Sequence, residues 1–123
     1  METKLINICE ACTALKSILQ ANDMPFFLTW QFEDIINACK THVKRYETEQ
    51  KKLLEKYGVC TDEVKGFYKI EPENIESYKT DLSQLNDCII DLNIKPLNKA
   101  DIKTLIVPKA SNITALNDFL LCE

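Results

Sequence analysis

The sequence predicts an α+β fold in which a long antiparallel helical hairpin is followed by a third helix, a small antiparallel sheet and a short C-terminal helix. Three observations support this prediction. Two apolar stripes with helical spacing flank a short break near Pro25, and a third stripe follows in the second half of the chain. The apolar spacing then changes to every second residue over residues 90–96, which is typical of a half-buried strand. We expect one domain over residues 1–123, with the hairpin in 1–57 and the α+β portion in 67–123.

The first helix is expected over residues 4–21. Its apolar face repeats at steps of three and four residues and consists of Leu5, Ile8, Cys12, Leu15 and Leu19. The segment from Asn22 to Pro25 ends this helix, because proline lacks the backbone donor and disfavours helical angles in the residue before it.

The second helix is expected over residues 30–57, with Thr29 as its N-cap and Gly58 at its end. Its apolar stripe consists of Phe32, Ile35, Cys39, Val43, Tyr46, Gln50, Leu53 and Tyr57. At 1.5 Å per residue the helix is about 40 Å long. Because the connection to the first helix is short, we expect the two helices to pack as antiparallel neighbours.

A loop, a strand and a third helix are expected next. Residues 58–66 hold both glycines and are expected to form a surface loop, and residues 67–70 a short strand. The third helix starts at residues 71–74, where proline and acidic residues favour a first turn, and ends near Asn86. Its apolar stripe consists of Ile75, Tyr78, Leu82, Leu85 and Ile89.

The last third of the chain has weaker signals. Beyond the strand at 90–96, residues 98–101 are expected to turn, and Ser111 is expected to cap a last short helix. The apolar residues of that helix are Ile113, Leu116, Phe119 and Leu120.

Composition and charge limit the classes of function. The chain has 46% apolar and 28% charged residues, with 15 basic against 19 acidic side chains and a net charge of −4. No segment concentrates lysine and arginine enough to attract a phosphate backbone strongly, so we expect no nucleic-acid partner. Every apolar run is far shorter than the roughly 20 residues of a membrane-spanning helix. The start of the chain does not have the pattern of a secretory signal, so we expect no membrane partner and a cytosolic location.

The sequence motifs of common enzymes are missing. Neither the GxGxxG and GxxxxGK[ST] phosphate-binding patterns nor the GxSxG nucleophile turn occurs. His42 is the only histidine, and we interpret it as a partly exposed residue of the second helix. We therefore expect a protein that is not an enzyme, with no catalytic residue and no cofactor site.

Four residues nevertheless have the chemistry of metal ligands. Cys9 and Cys12 form a CxxC on the first helix, and Cys39 and His42 form a CxxH on the second. Antiparallel packing would bring the two pairs together, and three thiols with one imidazole suit tetrahedral zinc. A disulfide between Cys12 and Cys39 and plain packing of thiols in the core are the alternatives. We favour core packing and assign no metal ligand, because all three cysteines lie on stripes expected to face the core.

Aromatic residues cluster at the turn of the hairpin, at Phe26, Phe27, Trp30 and Phe32. The interpretation we favour is that they cap the core and pack on the C-terminal elements. The alternative is an exposed anchor for a protein partner, because aromatic residues are enriched at binding hot spots. The second helix is also long for so small a domain, which suggests self-association through its far end and a homo-oligomer.

The order of these segments is similar to a family of small proteins of unknown function encoded in tailed-phage and prophage genomes of Gram-positive bacteria. The segments that carry the resemblance are 5–15, 45–58, 68–70, 90–97 and 116–120. In that family the positions of the three helical cysteines are generally small or apolar, and no catalytic residue is carried over. An excess of lysine over arginine, fourteen to one, fits an AT-rich genome.

The resemblance implies a small phage accessory protein that works without catalysis by stoichiometric binding in the host bacterial cytoplasm. Our first expectation is a host-directed inhibitor of a bacterial defence component. A virion-assembly accessory, such as a head or tail chaperone, is the first alternative. An oligomer that sequesters a nucleotide signalling molecule between its subunits is the second.

Overall fold

Two long helices dominate the fold. The computed structural model of the chain describes residues 2–103, 105, 106, 116 and 120–122. Helix α1 spans Leu5–Ala21 and helix α2 spans Phe26–Tyr57, and together they form the predicted hairpin. The architecture is mostly helical with small strands, which agrees with the predicted α+β class.

Helix α2 begins four residues earlier than expected. Its N-cap is Pro25, whose backbone angles are φ −56° and ψ 146°. The carbonyl of Pro25 accepts hydrogen bonds from the backbone N–H of Leu28 and of Thr29, both at 3.1 Å. The prediction that Thr29 is the N-cap is therefore wrong, because proline can stand at the start of a helix without losing a bond that the helix needs.

The expected loop at 58–66 is instead a β-hairpin. Strand β2, Gly58–Asp62, pairs antiparallel with strand β3, Phe67–Ile70. The carboxylate of Asp62 accepts from the N–H groups of Val64 and Lys65 at 3.0 and 3.2 Å, and Gly66 closes the turn with φ +67°. The two glycines mark a tight turn and a close backbone approach, because a Cβ at Gly58 would stand 2.8 Å from the Leu54 carbonyl oxygen.

The third helix forms as predicted. A 3₁₀ turn at Pro72–Asn74 leads into helix α3, Ile75–Asn86. Ile89, which the apolar spacing assigns to the stripe of this helix, belongs instead to strand β4, Ile89–Asp91. At its end the Asp87 N–H still donates to the Ser83 carbonyl at 3.0 Å, whereas the Cys88 N–H donates to the Leu85 carbonyl, three residues back, at 3.3 Å, so the α-helical pattern stops there.

The strand predicted at 90–96 is shorter than expected. Only Ile89–Asp91 is a strand, and it pairs antiparallel with strand β1, Glu2–Lys4, which the sequence did not reveal. Leu92 is buried without being in a strand, so the alternation of apolar residues continues where strand pairing does not. Thr3 opposite Ile90 is buried in this ladder.

The C-terminal part adds a short helix and a parallel pair of strands. Helix α4, Lys99–Lys103, occupies most of the expected turn at 98–101. Strand β5, Leu97–Asn98, pairs parallel with strand β6, Leu120–Cys122. The predicted cap Ser111 lies outside the described residues, as do Ile113 and Phe119. Leu116 is helical and fully buried.

The core lies between α1, the first half of α2 and the C-terminal part. Its largest fully buried members are Phe32, Ile8, Leu15, Ile18, Ile35, Leu97, Leu116 and Cys39. Every residue from 40 to 91 is described, and none of them is buried. We call residues 26–39 the near half of α2 and residues 40–57 its far half. Among the described residues, no helix has the length and apolar character that crossing a membrane requires.

Candidate binding surface

The cysteines of the predicted CxxC and CxxH pairs pack in the core. Cys12 is 3% exposed and Cys39 is fully buried among the side chains of α1 and α2, while Cys9 is half-buried. All three are free thiols. The interpretation as core packing is therefore confirmed for Cys12 and Cys39.

Burial favours the protonated form of these thiols. It raises the pKa of Cys9 to about 11 and that of Cys39 to about 12, and the neighbouring thiols add to both shifts. Metal is bound by the thiolate, so a metal would have to compete with protons over the whole physiological range. Within the described residues, no group of three histidine, cysteine, aspartate or glutamate side chains is arranged to hold a metal ion.

His42 is not arranged as a catalytic base. Its Nδ1 atom is buried and has no hydrogen-bond partner among the described residues. A catalytic imidazole is oriented by a third group that bonds to the nitrogen not facing the nucleophile. The helical position of His42 agrees with the interpretation as a structural residue.

Three of the four aromatic residues at the hairpin turn are exposed. Phe26, Phe27 and Trp30 have 67%, 49% and 59% of their surface open to solvent, whereas Phe32 is fully buried. The Phe26 and Trp30 rings meet edge to face with centroids 5.0 Å apart, and Phe26 and Phe27 do so at 6.3 Å. The expectation that the cluster caps the core is therefore right for Phe32 and wrong for the other three, which we call the aromatic patch.

The positions of these residues around α2 explain this exposure. With the helix beginning at Phe26, the inward face is taken by Leu28, Phe32, Ile35, Ile36 and Cys39. The residues of the aromatic patch are not three or four positions from most of these buried residues. They therefore lie on the outward side, because residues four apart stack on one face of a helix. A large aromatic ring left in water is unusual enough to indicate a binding surface when several lie together.

The sequence around the aromatic patch is acidic, and one lysine from another segment, Lys95, lines a cavity together with Asp34. Asp23, Glu33 and Asp34 are exposed, and no lysine or arginine occurs in the sequence between Lys16 and Lys40. Glu33 and Asp34 lie beyond the first turn of α2, where the helix dipole no longer favours acidic side chains. A partner with apolar and cationic groups would complement this surface.

A side-chain bridge holds the hairpin turn in place. The Asn22 amide nitrogen donates to the Ile106 carbonyl at 2.8 Å, and the Ile106 N–H donates to the Asn22 amide oxygen at 2.7 Å. The same nitrogen donates to the Ile18 carbonyl at the end of α1. The aromatic patch thus follows directly on a turn that is fixed to the C-terminal part.

Two of the open cavities that described residues line do not include the rings of the aromatic patch. One, of about 500 Å³, is beside the β2–β3 hairpin, and its polar lining consists of one cation and two carboxylates, Lys69, Glu71 and Glu73, with Thr61. A net negative lining does not favour a phosphate group. The other, of about 200 Å³, lies between α2 and residues 93–95.

Sequence reasoning missed the polar contacts that join α3 to α2. The Tyr46 hydroxyl donates to the Asn86 amide oxygen at 2.7 Å, and the Tyr57 hydroxyl donates to the Asp81 carboxylate at 2.6 Å. Tyr46 and Tyr57 are on the predicted apolar stripe, so the pattern indicated their direction but not the partners of their hydroxyl groups. These contacts hold α3 against the far half of α2.

Comparisons with known proteins identify no relative. No family model, no curated protein and no solved structure matches this chain.

Proposed function

We propose that this protein works without catalysis, by stoichiometric binding of a protein partner through the aromatic patch. The observation that supports the proposal is the exposure of Phe26, Phe27 and Trp30 side by side on one helix. Large aromatic side chains carry much of the binding energy at protein interfaces, and they are costly to leave in water without a partner.

The class of partner follows from the resemblance described above. The protein is a phage accessory factor in the host cytoplasm, and its partner is a component of bacterial defence. The acidic residues around the patch favour a partner surface with lysine or arginine, which can pair with Glu33 and Asp34 and lie over the aromatic rings.

The test is capture of the partner from phage-infected cells on the immobilised full chain, followed by identification by mass spectrometry. A Phe26→Ala/Trp30→Ala variant is expected to lose the captured protein. A Val64→Ala variant is the matched control, because Val64 is 97% exposed at the other end of the molecule. Recovery of phage morphogenesis proteins alone would contradict the host-directed function.

The purified partner then allows a direct titration. Trp30 is the only tryptophan in the chain, so its fluorescence reports on the patch without labelling. We expect a blue shift that saturates at one partner per chain. A partner that binds without changing the emission would place the binding surface elsewhere.

A further inference from the structure

The region from residue 40 to residue 91 lacks a core of its own. None of its 52 residues is buried, although it contains many apolar side chains at helical spacing. Those that are only half-buried include Leu53, Leu54, Tyr57, Ile75, Leu82 and Leu85. We call this region the far layer; it consists of the far half of α2, the β2–β3 hairpin, α3 and β4.

The geometry of the far layer explains the deficit. Its two helices lie side by side, with the short β2–β3 hairpin against α2 and α1 against α3, and these elements leave the apolar stripes half open. In the near half, by contrast, α2 is covered by α1 and by the C-terminal part, and five of its side chains are buried. Apolar stripes that remain half open in one chain are completed when a second pair of helices packs over them.

The basic and the acidic residues of the far layer are concentrated in different segments, so two copies can attract each other. The far half of α2 carries six basic and three acidic residues, whereas residues 71–87 carry five acidic residues and one lysine. In an antiparallel arrangement related by a two-fold axis, the far half of α2 in one copy lies against α3 of the other. The basic segment of each copy then faces the acidic segment of the other copy, so the same attraction occurs twice in the dimer.

We propose that two copies of this chain pack their far layers against each other, so that the two α2–α3 pairs form a four-helix bundle. An interface of standard size takes about 800 Å² and roughly 20 to 30 residues from each partner, which the far layer is large enough to supply. The pairing goes beyond the proposed function, because it uses the end of the molecule opposite the aromatic patch. A dimer of this kind carries two aromatic patches.

Sedimentation equilibrium of the full chain tests the pairing. We expect the mass of two chains, with dissociation on dilution over about 1 µM to about 500 µM and a thermal midpoint that rises with concentration. The mass of a single chain throughout that range would overturn the proposal.

Charge reversal identifies the surface. Lys44→Glu/Lys51→Glu on α2 and Glu73→Lys/Glu76→Lys before and on α3 change exposed residues only. Each pair is expected to weaken the dimer at least roughly tenfold, and the combination of all four to restore it to within about threefold. Thr13→Lys/Lys16→Glu, also at exposed positions but on α1, is the control and should leave the dimer unchanged.

Two further results distinguish this surface from the aromatic patch. Amide exchange in α3 should slow as the protein concentration rises, while exchange in α1 stays constant. A dimer that Phe26→Ala/Trp30→Ala abolishes and the four-fold charge exchange leaves intact would place the second copy on the patch. That result would overturn the pairing of far layers and leave the proposed binding function standing.

Discussion

The two halves of helix α2 have the same helical repeat and very different surroundings. In the near half, Leu28, Phe32, Ile35, Ile36 and Cys39 are buried, and the opposite side carries the aromatic patch. In the far half no side chain is buried, and the stripe facing α3 is joined to it by tyrosine hydrogen bonds. An apolar stripe therefore indicates which side of a helix faces other elements, while the number of those elements decides how deeply the stripe is buried.

The largest effect that this comparison predicts is on the free energy of unfolding. Phe32→Ala removes a fully buried ring and should cost about 3–5 kcal/mol, the range typical of such truncations. Leu82→Ala removes a half-buried side chain in the far layer and should cost about 1–2 kcal/mol, because only part of its surface is withdrawn from water.

Urea titration of both variants at one low protein concentration measures the difference. Equal losses would show that the far layer is as well packed as the near half and would contradict the comparison. A loss for Leu82→Ala that grows with protein concentration would instead sharpen it, since the leucine then also contributes to the dimer.

A smaller effect is expected from alkaline pH, and it should arise in the near half. Burial raises the pKa of the Cys39 thiol from 9.0 to about 12 and that of Cys9 from 9.0 to about 11. Between pH 9 and these raised pKa values, the folded state keeps the thiol protons that the unfolded state releases. The free energy of unfolding is therefore at its full value below about pH 9 and falls as the pH rises toward 12.

Urea titrations on either side of pH 9 check this prediction. Cys39→Ala should reduce the pH dependence, whereas Cys60→Ser, at an exposed position of β2, should leave it unchanged. Stability that rises across the same pH window would contradict the buried position of these thiols.

The smallest effect is expected for a single hydrogen bond in the far layer. Tyr57→Phe removes the bond of 2.6 Å to Asp81 and should cost about 0.5–1.5 kcal/mol. Tyr68→Phe is the matched control, because the Tyr68 hydroxyl makes an exposed contact of 3.4 Å with Glu55 and should contribute almost nothing. Equal costs for the two variants would mean that the Tyr57 bond does not hold α3 in place.

The long periodic segments and the short strand β3 were predictable from the sequence, whereas strands β1 and β2 were not. Helices α1 and α3 follow from their apolar stripes, because spacing of three and four residues kept over several turns puts the apolar side chains on one side only in a helix. Strand β1 has only three residues and becomes a strand through pairing with β4, about 85 residues away in sequence, which no local pattern records. The prediction of a loop over 58–66 is wrong for residues 58–62, which form strand β2, because the two glycines indicate a turn without revealing the strand that precedes it.

The sequence showed which aromatic residues lie at the hairpin turn but not which of them are exposed. The sequence shows four aromatic residues near Pro25, and either burial or exposure is consistent with that pattern. The start of α2 at Phe26 decides the outcome for Phe26 and Phe27, whereas Trp30 and Phe32 lie on opposite sides of the helix with either start, because they are two residues apart. A proline that caps a helix is indistinguishable, in sequence, from one that ends a segment.

The bridge between Asn22 and Ile106 restricts what residue 22 can be. An amide is the one short side chain group that offers a donor and an acceptor in the same plane, so it can replace a neighbouring peptide group and bond to both sides of Ile106. Aspartate has the same shape but only acceptors at neutral pH, and it would set a negative charge against the Ile106 carbonyl. Deamidation at this one position would therefore remove the hydrogen bond to the Ile106 carbonyl, while the C-terminal part stays packed in the core through Leu97, Ile102 and Leu116.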